Sequence, residues 1–295
     1  MLIMQHISAE RITWWEALKK EKPLMLPVAH DALTAKLIER AGFSAVQIAG
    51  YAVAGARHGV PDIDLTHFAE RYAAVKDIMG ATRLPIMVDA DDAYGDVKNV
   101  TYTVREYEGL GIQAIFIEDQ QAPKKCGHMD DKKVIPQKEM VGKLKAAAAA
   151  RTNDFFILAR TDAYAPEGLK HALKRAEAYL KAGADGIYIE GPETEKDLET
   201  IGKTFRGVPL ATSILENGGK TPWLPPSALG KMGFTMILYP TTILFQATRA
   251  IEQAVTRLRA GQPLVEKEAV NMEEFLEIVD IKHWQAIEKR FEGSA

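Results

Sequence analysis

Eight short apolar runs punctuate the chain, at residues 24–29, 45–50, 84–88, 114–117, 155–159, 186–189, 208–213 and 236–239. Runs of four to six residues with almost no polar interruption read as strands covered on both faces, the condition of a parallel sheet. Between most of them lie stretches with helical spacing. Residues 32–41 and 169–182 are two such stretches, and they stop at Gly42 and Gly183, as helix C-termini commonly do. A local formula of helix, glycine, small residue and apolar strand recurs at Ala41-Gly42-Phe43, Leu110-Gly111-Ile112 and Ala182-Gly183-Ala184. Eight strand–helix units without a second apolar centre predict a single α/β domain, a (β/α)8 TIM barrel. A doubly wound sheet with a helical tail is the competing arrangement. The strand count and the lack of a G-x-G-x-x-G turn after the first strand weigh against it. A helix is predicted over residues 8–22, opening at Ser8, with Trp14-Trp15 as its apolar edge. After Gly261 the rhythm changes to a helical C-terminal extension, residues 262–295, whose amphipathic segment at 272–291 carries Trp284 and Phe291. These helices suit packing on a neighbouring subunit, or capping of their own barrel.

Composition narrows the function classes. A formal charge of −3 and a pI near 6.2 give no electrostatic reason to expect nucleic acid or an anionic membrane as partner. One cysteine in 295 residues excludes an intrachain disulfide and fits a reducing cytoplasm. Neither a signal-peptide core nor an apolar run approaching the ~20 residues of a membrane span is present in the sequence. The expected protein is soluble and cytoplasmic, with a small molecule as its ligand.

Candidate chemistry lies where the apolar runs end, since barrel enzymes react at the C-terminal ends of their strands. Reading those ends in turn gives Asp62, Asp89, Asp91, Glu118, Asp119, Cys126, His128, Arg160 and Glu190. A two-residue period turns Asp89 and Asp91 toward one point. Convergent carboxylates repel unless a cation lies between them, and an oxygen-only donor set suggests Mg²⁺ held largely through water. Solvated acids at loop starts are the plainer alternative for any one residue, but not for Asp-x-Asp at the end of a buried strand. Arg160 could clamp a carboxylate or pair with Asp162 or Glu190. Cys126 stands between two lysines and His128, on a loop whose flanking charges favour a mobile flap over permanent burial. Consecutive glycines at Gly218-Gly219 allow backbone N–H groups to cradle an anion.

These residues carry a resemblance. Lys-Lys-Cys-Gly-His (124–128), Val-Asp-Ala-Asp-x-x-Tyr-Gly (88–95), Ile-Glu-Asp-Gln (117–120), Ala-Arg-Thr-Asp-Ala (159–163) and Gly-Gly-Lys-Thr-Pro (218–222) resemble the isocitrate lyase/phosphoenolpyruvate mutase superfamily. Similarity is greatest to its 2-methylisocitrate lyase, 2,3-dimethylmalate lyase and carboxyphosphonoenolpyruvate mutase group. The resemblance implies a Mg²⁺-dependent barrel (Mn²⁺ as a possible substitute), with the last helix exchanged between subunits and a homotetramer built from two such dimers. It implies a carbon–carbon lyase acting on a 2-hydroxy di- or tricarboxylate of the methylisocitrate or substituted malate type. An oxaloacetate hydrolase or a phosphoryl mutase on the same scaffold is the alternative, and a non-catalytic acid-binding barrel a more distant one. By the same resemblance, Asp89 holds the metal, reinforced by Asp62, Asp91 and Glu118. Cys126 protonates the departing carbanion, Arg160 neutralises developing charge, and His128 and Glu190 support them. Implied substrate contacts are Ala49, Gly50, Tyr51, Gly127, Arg160, Glu190, Ser213 and Glu216.

The chain also departs from the family pattern. Asp92 adds a carboxylate where the family usually has Asp-Thr-Gly-Tyr-Gly, and Tyr51 follows the small pair Ala49-Gly50. Methylisocitrate lyases place a Tyr where this chain has Gln47. The Asn expected before Glu216 is missing, and Asn217 reads as an insertion.

Overall fold

The protein is described by a computed structural model over residues 11–292. Eight parallel strands form one sheet: β1 (Leu24–Pro27), β2 (Val46–Ile48), β3 (Ile86–Asp89), β4 (Ala114–Glu118), β5 (Phe156–Thr161), β6 (Gly186–Ile189), β7 (Leu210–Ser213) and β8 (Met236–Tyr239). Their hydrogen-bonded order is β1-β8-β7-β6-β5-β4-β3-β2. A parallel bridge between Val28 and Gln47, with Ala29 N–H donating to the Gln47 carbonyl at 2.9 Å, joins the two ends and closes the (β/α)8 barrel.

Strand alternation divides the apolar residues into two cores. Outward residues such as Ile48, Val88, Ile115, Ile117, Ile157, Ile187 and Ile237 pack against the helices. Inward residues form the second core: Leu24 and Leu26, Met87, Ala114 and Phe116, Phe156 and Leu158, Tyr188, Ala211, Met236 and Leu238. Advancing two residues along each inward row reaches Asp89, Glu118, Arg160, Glu190 and Ser213. One phase therefore sets both the apolar floor and the polar mouth. At the opposite end the helix Trp14–Lys20 packs on the inner core, with Trp15 edge-on to Phe156 at 5.0 Å between centroids. Thr13 caps that helix reciprocally with Glu16. The predicted start at Ser8 lies outside the described residues.

The glycines of the repeated formula take left-handed conformations after their helices, with φ of 85° at Gly42, 92° at Gly111 and 109° at Gly183. That geometry is nearly free for glycine and lets each helix turn tightly into the next strand.

The chain divides into two compact units, residues 1–243 and 244–295. Within the described part of the second unit are the helices Met272–Ile278 and Ile281–Phe291. That unit exposes Ile251, Val255 and Leu258 along one helical stripe, and also Met272, Phe275, Trp284 and Phe291. No helix among the described residues is long and apolar enough to cross a membrane.

One close approach between barrel helices is testable. Gly202, in the helix Glu195–Thr204, faces the end of the helix Pro226–Met232 so closely that a Cβ would lie 1.9 Å from the Met232 carbonyl oxygen. A backbone atom cannot swing aside, so Gly202→Ala should force the helices apart and cost about 1–3 kcal/mol. Thermal unfolding followed by circular dichroism should show Tm lowered by roughly 2–10 °C, and an unchanged Tm would mean the helices do not meet there.

Candidate active site

The barrel mouth holds a cavity of about 40 Å³ lined by residues from most strand ends and from the loop after β4. Of the residues singled out in the sequence, Ala49, Tyr51, Asp62, Asp89, Glu118, Cys126, Gly127, His128, Arg160, Glu190 and Ser213 all line it. Asp91 lies buried behind this wall. Gly50 contributes its backbone, donating N–H to Asp89 Oδ2 at 3.0 Å. Glu216 does not line the cavity and accepts from Thr242 Oγ1 at 2.7 Å.

Four carboxylates, Asp62, Asp89, Asp91 and Glu118, are buried together. Lys124 Nζ reaches between them, 2.6 Å from Asp62 Oδ1 and 2.5 Å from Asp91 Oδ1. Arg71 stands behind, its Nη2 3.6 Å from Asp62 and 3.5 Å from Asp91. Burial alone would push Asp91 up, but Lys124 and Arg71 outweigh it and hold the carboxyl below its ordinary value. Lys124, buried as it is, is held well above its ordinary value by Asp91 and Asp62. Asp89 and Glu118 are pushed the other way. Burial raises both, with Asp91 adding to it at Asp89, and at Glu118 burial outweighs the opposing pull of Arg160.

The backbone carrying these acids is tightly wound. Asp91, Ala93 and Tyr94 have φ of 50°, 63° and 61°, conformations costly for residues with a Cβ. Asp92 does not crowd the acid cluster. It turns to the helix Gln137–Ala150, where Lys143 Nζ donates to its carbonyl at 2.8 Å and its carboxylate at 3.2 Å.

Arg160 sits over the rings of Tyr188 and Phe116, 5.3 and 5.8 Å from their centroids. Its Nε and Nη2 bond both oxygens of Asp162, at 2.9 and 3.0 Å. It also reaches Glu118 at 3.2 Å and Glu190 at 3.5 Å, so the ion pair and a place in the cavity wall coexist. Glu190 is held well below its ordinary value because Arg160 and His128 overcome the cost of its burial. His128 Nδ1 accepts from the Lys220 N–H at 3.1 Å, which leaves the ring proton on Nε2. That proton faces Glu190 Oε1 at 3.1 Å, and Ser213 Oγ donates to the same oxygen at 2.9 Å. The glycine-rich turn after β7 thus reaches the site through the Lys220 backbone.

The loop bearing Cys126 is closed over this cluster. Its ends meet where Gln121 N–H donates to the Lys133 carbonyl at 2.8 Å. Cys126 N–H donates to the Asp62 carbonyl at 3.1 Å. Lys124 ties one limb to the acids, and Lys132 ties the other to Asp162 at 2.8 Å and to the Gly127 carbonyl. Gly127 packs so closely that a Cβ would lie 2.4 Å from Arg160 Nη2 and 2.6 Å from Glu190 Cγ. Burial, reinforced by Asp62 and Glu190, pushes the Cys126 thiol up to about 11.

Sequence reading missed Arg71, Lys132 and the insertion of Lys124 among the acids. The lysine pair beside Cys126 was the available signal, and nothing in spacing announces Arg71. Glu118 Oε1 is buried without an accepted hydrogen bond. Such a spare oxygen suits a hard divalent cation bound partly through water. Among the described residues no group of three or more His, Cys, Asp or Glu side chains forms a ready-made metal cage. Water or substrate oxygens would therefore complete the coordination.

Removing the Lys124 charge should loosen the closed loop, because Asp62 and Asp91 would keep only Arg71. In Lys124→Met, amide hydrogen exchange over residues 121–134 should accelerate at least several-fold while the barrel strands exchange as before. Equal protection in both proteins would show that the ion pairs do not hold the loop.

Comparison with known proteins bears on the family and the fold. The sequence profile of the phosphoenolpyruvate phosphomutase family matches residues 15–259. A 2,3-dimethylmalate lyase of Eubacterium barkeri is 40% identical over 279 residues, covering 94% of this chain and 96% of that protein. A 2-methylisocitrate lyase of Bacillus subtilis (strain 168) is 41% identical over 230 residues, covering 78% and 75%. A crystal structure of 2,3-dimethylmalate lyase superposes with a TM-score of 0.87 at 27% identity, covering 93% of each chain. The match of profile, relatives and barrel places the chain in the phosphoenolpyruvate phosphomutase family, as an enzyme of the isocitrate lyase/phosphoenolpyruvate mutase superfamily.

Proposed function

We propose that the protein is a Mg²⁺-dependent carbon–carbon lyase that cleaves a 2-hydroxy di- or tricarboxylate, of the substituted malate or 2-methylisocitrate type, into a 2-oxo acid and a shorter carboxylate. The observation that carries this reading is the closed loop, which brings Cys126 into one cavity with Asp89, Glu118 and Arg160. The lyases among its relatives support the reaction class.

Asp89 would hold the metal, with Asp62, Asp91 and Glu118 reinforcing it through water. When bound, Mg²⁺ supplies positive charge to the substrate's hydroxyl oxygen and neighbouring carboxylate. The chain's own groups do the rest. Arg160, fixed by Asp162 and by two aromatic faces, presents charge where negative charge grows. As the C–C bond breaks, the substrate's O–H bond breaks with it, its proton passing to an ionised carboxylate of the cavity wall, and the hydroxyl carbon becomes the carbonyl of the 2-oxo acid. The electron pair passes to the leaving fragment, whose carbon takes the Cys126 proton. Raised to about 11, the thiol is fully protonated at neutral pH and serves as an acid rather than a nucleophile. His128 and Ser213 hold Glu190 in place beside it, and the closed loop keeps bulk water away.

The exposed apolar stripe of Ile251, Val255 and Leu258, with Trp284 and Phe291, supports a homotetramer of helix-exchanged dimers. A cytoplasmic location accords with the lone free cysteine.

A turnover screen of malate, 2,3-dimethylmalate and 2-methylisocitrate with Mg²⁺, with both fragments identified, tests the reaction. Oxalate plus acetate from oxaloacetate, with no cleavage of any hydroxy acid, would identify a hydrolase instead. Cys126→Ala should lower kcat by about 10²–10⁴-fold, and full turnover by that variant would remove the thiol from the mechanism. The thiol must carry its proton to act, so activity is retained below its pKa and lost as pH rises through it. With that pKa at about 11, the kcat profile should show no thiol-dependent fall at neutral or mildly alkaline pH. A fall near the ordinary thiol range, absent in Cys126→Ser, would contradict this.

A further inference from the structure

Most charged groups of the cavity are paired, but its β8–β2 side carries a different kind of surface. There Leu215, Leu238 and Pro240 leave an apolar wall interrupted by Gln47 and Thr241. Gln47 is 2% exposed and Thr241 1%, and Gln47 Oε1 and Thr241 Oγ1 are buried without a hydrogen-bond partner. Gln47 shares the inward phase of β2 with Ala45, which belongs to the apolar inner core. Its neighbour across β3 is Met87, two residues below Asp89, and its neighbour on the other side is Val28. An amide has thus been set into a floor of otherwise apolar side chains, facing the cavity, with no protein donor for its carbonyl oxygen. A hydrocarbon residue would fill that place without leaving a polar atom unpaired.

We propose that Gln47, together with Thr241, is the specificity-determining pole for the substituent on the 2-oxo acid half of the substrate, and that this substituent bears an uncharged hydroxyl. The inference rests on the lyase reading above, in which Asp89 anchors that half of the molecule. Gln47 lies two residues beneath the level where the Gly50 N–H meets Asp89, so it faces the anchored half from below. A hydroxyl can donate to Gln47 Oε1 and accept from Thr241 Oγ–H, which satisfies both orphaned atoms together. A methyl group would leave both unpaired, which sites built for a hydroxyl discriminate against strongly. A further carboxylate would find the cations of the mouth already committed: Lys124, Lys132, Arg71 and Arg160 are engaged by acids, and Lys125 turns its ammonium to the Asp130 carbonyl at 3.5 Å.

Three 2-oxo acids differ at just this position. Pyruvate carries a methyl group, hydroxypyruvate a hydroxymethyl and oxaloacetate a carboxymethyl. Calorimetric titration of the full chain with each, in the presence of Mg²⁺, should show hydroxypyruvate binding at least ~10-fold more tightly than pyruvate and more tightly than oxaloacetate. In Gln47→Met the hydroxypyruvate-to-pyruvate ratio should collapse to about one. Thr241→Val, nearly isosteric, should lower it several-fold and serves if the first variant does not fold. A ratio near one in the wild type overturns the inference, as do a ratio unchanged in both variants, tighter binding of oxaloacetate, and failure of hydroxypyruvate to bind. The preference persisting in a protein that cleaves no hydroxy acid would sink the lyase reading and leave the pocket assignment standing. Cleavage releasing pyruvate from a protein without the preference would do the reverse.

Discussion

Buried negative charge is the constraint around which the barrel mouth is organised. Asp62, Asp89, Asp91, Glu118, Asp162 and Glu190 are all removed from water, and no barrel could keep them ionised there alone. Lys124, Arg71, Arg160 and Lys132 enter the same volume, each bonded to at least one of these acids. The balance is uneven. Asp91 and Glu190 are held in the charged form, while Asp89 and Glu118 are pushed toward the neutral one. Space for further positive charge therefore lies beside Asp89 and Glu118.

Two of the four cations belong to the loop after β4, so closing the loop and neutralising the acids are one event. Lys124 and Lys132 flank Cys126 in sequence and grip opposite sides of the mouth in space. Between them the chain has room only for Gly127 against Arg160 and Glu190. The thiol is delivered as a consequence of ion pairing elsewhere on its loop. That separates positioning from chemistry: the lysines fix where the flap rests, and Cys126 faces the space it encloses.

Much of this was legible in the amino-acid sequence. The eight apolar runs and the Gly42, Gly111 and Gly183 stops gave the barrel, because local burial and turn chemistry agree there with the global fold. The strand-end acids were readable because period two carries an apolar floor directly into a polar rim. What stayed hidden depends on contacts between distant residues. Asp92 looked like an extra acid near the metal, yet Lys143, 51 residues away, draws it out of the cluster. The pairing of Arg71 with Asp62 and Asp91 leaves no periodic trace. Glu216 sits at a strand end as a site residue should, but Thr242 takes its carboxylate. Helix capping is local, by contrast: Thr13 and Glu16 cap the first described helix within four residues of one another.

The barrel's closing seam has an evolutionary corollary. β1 and β2 meet through the single Val28–Gln47 bridge, whereas β4 and β5 share five paired positions. Gln47 anchors that seam with its main chain, a contact indifferent to which side chain the residue carries. Descendants of such a scaffold could exchange the residue there and acquire new diets while the ladder around it stays intact.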